Sequence, residues 1–245
     1  MKTTKITFGC ALVAAGLLAG SAATSHAVPL LQLYIEGATY NEADESWEGD
    51  FTDGDTLRVW TIGNISGEGG KGTISDVKLA IAYASSDTPT ITVSESQTDG
   101  FGGFTDNDLA NTATFRQTVT DGSNPQLSNG ADLPGHGIYG SGTSWTEYHL
   151  GDFDNTSDLG GDFLNSLPTP TTGYDINVYE ITISGTSEVH FDLYDSIAAG
   201  NHIHATFAPF SHDGDGRQVP DGGATVALLG LVCIGVHGLR RKIGV

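Results

Sequence analysis

Ile74-Ser75-Asp76-Val77-Lys78-Leu79-Ala80-Ile81-Ala82-Tyr83 is the stretch that decides the fold. Val77, Leu79 and Ile81 fall on one side of it, and Asp76, Lys78 and Ala80 on the other. Successive side chains of a strand point to opposite faces, so this period of two specifies a strand with one face on a core. The same alternation recurs on both sides of it. Leu31, Leu33 and Ile35 mark a first strand and residues 57–62 a second. Further strands are expected at 90–93, 113–119, 145–150, 174–183, 188–194 and 202–207. Polar loops at 100–132 and 151–173 separate them, and no stretch of the body carries an amphipathic helical period. About nine short strands joined by polar loops predict an all-β chain with a single β-sandwich domain.

The last two strands can be registered from the sequence. Setting Val189 opposite Phe207, Phe191 opposite Ala205 and Leu193 opposite Ile203 puts one apolar face on the core. In that register Asp192 lies opposite His204 and Tyr194 opposite His202. Together with His190 they would form a polar face with the spacing of a metal site or of a simple cross-strand Asp-His pair.

Both ends of the chain read as processing signals. Lys2 and Lys5 precede an apolar run at 8–19, and Ser25-His26-Ala27 offers a small-x-small cleavage site before Val28. Residues 1–27 are therefore expected to be a secretory signal peptide, cut by signal peptidase between Ala27 and Val28. At the other end, Val219-Pro220-Asp221-Gly222-Gly223 precedes a mostly apolar stretch at 224–239, then the cations Arg240, Arg241 and Lys242. Sixteen residues of helix reach about 24 Å, slightly short of a hydrocarbon core of about 30 Å. Snorkelling by the basic residues makes up the difference. Under the positive-inside rule, those cations hold the end of the chain in the cytoplasm and the body outside.

This three-part tail resembles the PEP-CTERM class of sorting signals in its Val-Pro-Asp-Ser/Gly-Gly variant. The resemblance implies export through the inner membrane and recognition by an exosortase, a membrane-embedded cysteine peptidase that cuts near the motif. The single-pass anchor is then transient or retained, and the destination is the cell surface or extracellular matrix. Part of the body resembles the choice-of-anchor N proteins, whose exported domain has no assigned role. The matching stretches are Leu31-Gln32-Leu33-Tyr34-Ile35-Glu36-Gly37-Ala38-Thr39-Tyr40, the run from Gly70-Lys71-Gly72-Thr73 through Tyr83, and Pro209-Phe210-Ser211-His212-Asp213. That resemblance brings no catalytic residues with it.

Between the two signals lies one acidic domain, expected over 28–212, with 213–218 as a linker to the sorting signal at 219–245. Of the chain's 30 acidic residues all but Asp221 fall in this body, against Arg58, Lys71, Lys78, Arg116 and Arg217. Nucleic-acid binding runs on phosphate neutralisation by Lys and Arg, so a nucleic-acid partner is excluded. Cys10 and Cys233 both lie in the terminal signals, so the body holds neither a disulfide nor a thiol site.

The residues call for no catalytic cofactor. A structural calcium is the one inorganic partner they suggest, with Asp213 and Asp215 in His212-Asp213-Gly214-Asp215-Gly216 as ligands at Asp-x-Asp spacing. Asp152-Phe153-Asp154-Asn155 and the acids at 50–55 echo that spacing. The expected function is a non-enzymatic surface or matrix protein of structural or adhesive role. A carbohydrate-binding module is the alternative, with Trp47 and Trp145 as stacking platforms for extracellular polysaccharide; Trp60, in a strand, is expected in the core. A secreted glycoside hydrolase is the third reading, and it needs a pair of carboxylates facing each other across a cleft.

Overall fold

The computed structural model describes residues 30–219, apart from short stretches at 42–45, 68–69, 71, 97–99, 128–129, 134–137, 164–169, 200–201 and 208–212. The expected signal peptide, the motif from Pro220 onward, the apolar stretch at 224–239 and the basic cluster lie outside the described residues. Among those described, no helix is long and apolar enough to cross a membrane.

Among the described residues, thirteen strands form two sheets. They are β1 (Leu31–Ile35), β2 (Thr39–Asn41), β3 (Ser46–Phe51), β4 (Thr56–Asn64), β5 (Ile74–Ala84), β6 (Thr90–Glu95), β7 (Thr114–Val119), β8 (Thr143–Phe153), β9 (Asp158–Gly160), β10 (Thr171–Ser184), β11 (Glu188–Ala199), β12 (His202–Phe207) and β13 (Asp213–Gln218). One sheet runs β1-β4-β10-β6, with β9 also on β10. The other runs β2-β3-β13-β11-β5-β8-β7, with β12 also on β11. All nine strands expected from alternation are present. The four additional ones, β2, β3, β9 and β13, are short and rich in polar residues or glycine, and carry no apolar period.

The two sheets face each other across one core. Leu31, Leu33 and Ile35 of β1, Val59 of β4 and Ile181 and Ile183 of β10 meet Leu79 and Ile81 of β5, Leu150 of β8 and Phe191 and Leu193 of β11. Burial on that inner face is what the period of two in each strand encodes. The outer faces are covered too. Tyr34, Trp47, Trp60, Phe104, Phe163 and Tyr174 form an aromatic layer over the smaller sheet. Ala80, Ala82, Trp145 and Tyr194 are capped by Leu127 and Leu133 from the 120–142 segment over the larger one.

Two expectations are corrected here. The linker expected at 213–218 is strand β13, paired parallel to β3 and antiparallel to β11, so the domain runs through Gln218. Asp-Gly-Asp-Gly reads as linker by composition, yet its glycines alternate like core residues. A Cβ on Gly214 would sit 2.8 Å from Leu33 Cδ2, and one on Gly216 would sit 3.0 Å from Val189 Cγ2. Glycine is the inward residue because the facing side chains leave room for nothing larger.

The second correction concerns the β11–β12 register. Tyr194 lies opposite Phe207, Ile197 opposite His204 and Ala199 opposite His202. The register expected from the sequence is displaced by an odd number of residues from the observed one. The edge of β11 assigned to β12 is occupied by β13, with Val189 opposite Gly216 and Phe191 opposite Gly214. Strand β12 is left with the second half of β11.

Candidate functional site

The folded domain ends at the threshold of the sorting motif. The Val219 N–H donates to Phe51 O at 2.6 Å, one residue past the end of β13. No spacer stands between the sheet and Val219, the first residue of the motif.

The tryptophans expected to stack sugars are inside. Trp47 is 8% exposed and packs edge-on against Tyr34 with ring centroids 4.8 Å apart. Trp145 is 2% exposed, and its Nε1–H donates to Ser123 O at 2.7 Å. Trp145 lies on an outer sheet face roofed by a further layer of chain, and Trp47 shares its side of β3 with Gly49 and Phe51, which face the core. Trp60 is in the core layer, as expected.

Asp215 does not stand in an open acidic loop either. Its Oδ1 lies 2.6 Å from His190 Nδ1, and its Oδ2 accepts from Ser46 Oγ at 2.9 Å. Burial raises the Asp215 carboxyl. The hydrogen bond and charge of His190, with Ser46 and Arg217, outweigh that and bring it below the usual carboxylate range. The other ring nitrogen, His190 Nε2, lies 3.3 Å from Asp192 Oδ2, and Asp192 in turn accepts from the Tyr139 hydroxyl. The His190-Asp192 face thus faces Asp215 and Tyr139, and the expected cross-strand pairs with His202 and His204 do not form. A cavity of about 330 Å³ opens beside this chain, lined in part by Asp87, Glu188, His190 and Asp215.

A second acidic group gathers where the loop after β6 crosses β9. Thr105 and Leu159 form an antiparallel bridge through two 3.0 Å backbone hydrogen bonds, which sets Asp106 beside Asp158. One carboxylate oxygen from each of Asp106, Asp108 and Asp158 lies within 4.8 Å of the others. Asp158 is anchored: its Oδ2 accepts from Ile176 N at 2.6 Å and its Oδ1 from Asn107 N at 2.8 Å. Asp108 is exposed and its Oδ2 accepts from Asn155 Nδ2. Asp175 stands behind them, its Oδ2 accepting from Asp154 N and Asn155 N, its Oδ1 from Asn177 Nδ2.

Asp106 is 6% exposed. Its Oδ1 accepts from Asp108 N at 3.0 Å, while its Oδ2 is buried without a hydrogen-bond partner. Burial is the largest influence on its carboxyl; the Asp108 N–H opposes it, and the charges of Asp158, Asp108 and Asp175 add to it. The result is a carboxyl pushed up to about 7. Burial likewise lifts Asp158, and lifts Asp175 to about 6. No ion pair with a described Lys, Arg or His reaches these four carboxylates. Sequence reading passed over this group. Asp106-Asn107-Asp108 has the same Asp-x-Asp spacing as Asp213 and Asp215, but its third member comes from 50 residues away, through a bridge that no local pattern announces.

Comparison with protein families finds one match: the VPDSG-CTERM motif, over residues 218–243. In this chain Gly222 stands where the motif's name has serine. The match supports a PEP-CTERM-like sorting signal, and with it export and a membrane-associated surface location. Comparisons with curated proteins and with solved structures found no match.

Proposed function

We propose that the chain is a substrate of an exosortase-type peptidase and that its acidic β-sandwich acts at the cell surface in a structural or adhesive role, without catalysis. The observation that carries the reading is the sorting motif over 218–243, which starts on the last residue of β13. A peptidase at the membrane needs an extended, accessible backbone. Pro220 disfavours continued strand pairing because it lacks an N–H, and Gly222-Gly223 keeps the chain beyond it open. The domain would enter the periplasm after signal peptidase cuts between Ala27 and Val28, fold up to Gln218, and hang from the 224–239 span until that is removed. The resemblance to choice-of-anchor N proteins fits the same course.

Burial of Trp47 and Trp145 removes the residues on which the polysaccharide-binding alternative stood. The hydrolase reading is weakened by the commitments of the carboxylates around the His190 cavity. Asp215 is held by His190 and Ser46, and Asp87 accepts from Thr186 Oγ1.

Mass spectrometry of the protein recovered from its native surface tests the sorting reading. Its C-terminus is expected within or next to 219–223, and Pro220→Ala is expected to leave residues 224–245 attached. A native protein ending at Val245 would refute the proposal. Release of reducing sugar from matrix polysaccharide by the purified protein would refute its non-catalytic half.

A further inference from the structure

We propose that Asp106, Asp108 and Asp158 bind one calcium ion, which fastens the 100–113 loop to β9 and so to the edge of the smaller sheet. This site is separate from Asp213 and Asp215 and does not depend on how the C-terminus is processed.

The first support is geometric. The three oxygens lie within 4.8 Å of one another. Three protein carboxylates on one ion suit calcium, which takes about six to eight oxygen ligands, better than magnesium, which keeps several waters and takes about one or two carboxylates. The donors are all carboxylate oxygens, which suits a hard cation and not zinc, whose structural sites take nitrogen and sulfur. The second support is the Asp106 side chain itself. Burying a carboxylate oxygen with no donor is costly, and a cation would satisfy it and neutralise its neighbours together. Asp158 is already immobilised by three hydrogen bonds from Asn107 and Ile176, so one ligand is preorganised. Exposed Asp108 leaves one side open to solvent, which gives the ion a way in and leaves room for water ligands.

What the ion would hold in place is also clear. Ala110 of the same loop packs into the main core. Asn111 N donates to Asn177 Oδ1 at 2.5 Å, and the Tyr179 hydroxyl donates to Asn111 O at 2.9 Å. Neutralising Asp106 and Asp108 therefore steadies a segment that closes one edge of the sandwich. An exported domain without disulfides gains from such a staple, and extracellular calcium modules commonly work with dissociation constants of about 0.1–1 mM.

The test uses the whole purified protein at pH 7.5, stripped with EGTA and titrated with calcium chloride in a calorimeter, alongside melts with and without calcium. One ion per chain should bind saturably. At calcium about 100-fold above the dissociation constant, Tm should rise by about 5–10 °C. Magnesium at equal concentration serves as the control for simple screening of this acidic chain. Asp106→Asn keeps the shape and removes one charge. It should lose at least about tenfold in calcium affinity while melting no lower than wild type in EGTA. Asp108→Asn, at an exposed position, gives the same readout should Asp106→Asn fail to fold. Equal melting in calcium and EGTA would overturn the proposal. So would a magnesium response equal to that of calcium, or a full calcium response in the variants.

Discussion

Replacing Asp215 by alanine separates a strand from a linker more sharply than any other single change. In β13 its carboxylate holds His190 at 2.6 Å and Ser46 at 2.9 Å, with His190 only 6% exposed. Hydrogen bonds to charged groups contribute about 1.5–3 kcal/mol, and breaking a buried charged pair costs about 3–5 kcal/mol. Asp215 keeps some solvent contact and His190 retains Asp192, so the lower part of that range applies, about 2–4 kcal/mol. For a mature domain of this size each kcal/mol is about 2–4 °C in Tm, hence a fall of about 5–15 °C. Urea denaturation at pH 7, followed by tryptophan fluorescence, reads the same loss as a lower midpoint at unchanged slope. Asp50→Ala, at an exposed carboxylate on the parallel neighbour β3, is the control and should stay within about 0.5 kcal/mol. The double variant with His190→Ala should show a coupling of about 1.5–3 kcal/mol between the two sites. An Asp215→Ala effect no larger than that of Asp50→Ala would refute the placement of 213–218 in the sheet.

Two further outcomes follow from burial and charge. All three tryptophans are under 9% exposed, so emission should be blue-shifted and iodide should quench little of it; red-shifted, readily quenched fluorescence would put Trp47 or Trp145 back on the surface. The Asp215 carboxyl is lowered on folding, so the stability it contributes is fully present above its unfolded value of about 3.9. That contribution should disappear as the pH falls below about 4. Asp215→Asn should flatten this acid limb of a stability-against-pH curve, and an unchanged limb would show that His190, Ser46 and Arg217 do not hold the carboxylate ionised.

The legible part of the fold is the part written in period two. Val77, Leu79 and Ile81, or Val189, Phe191 and Leu193, each announce a buried face from local sequence alone, and their strands form where alternation puts them. The missed strands are those whose inward residues are not apolar. Gly214 and Gly216 face the core because Leu33 and Val189 fill the space opposite them, a fact about neighbours distant in the chain. Register between β11 and β12 failed for a related reason. Strand β11 runs on to Ala199 and pairs with β12 through its second half, while β13, arriving last in the sequence, takes the first half of the β11 edge.

The candidate sites divide the same way. The motif at Val219-Pro220-Asp221-Gly222-Gly223 is a run of consecutive residues, and so can be read residue by residue. Asp106, Asp108 and Asp158 become a site only when the Thr105–Leu159 bridge joins two loops. Whether Trp47 and Trp145 meet solvent or other side chains depended on segments distant in the chain, Tyr34 and Phe163 for the first cluster and Leu127 and Leu133 for the second.

By itself, then, the sequence determined the all-β class, the positions of nine strands, the acidity of the body, and the sorting signal. These rest on composition and on nearest-neighbour periodicity. Tertiary structure alone decided that the domain closes at Gln218, that Asp215 serves His190, and that three aspartates converge beside β9. Each of these depends on pairing between segments far apart in the chain, whose energies come from contacts that no local pattern encodes.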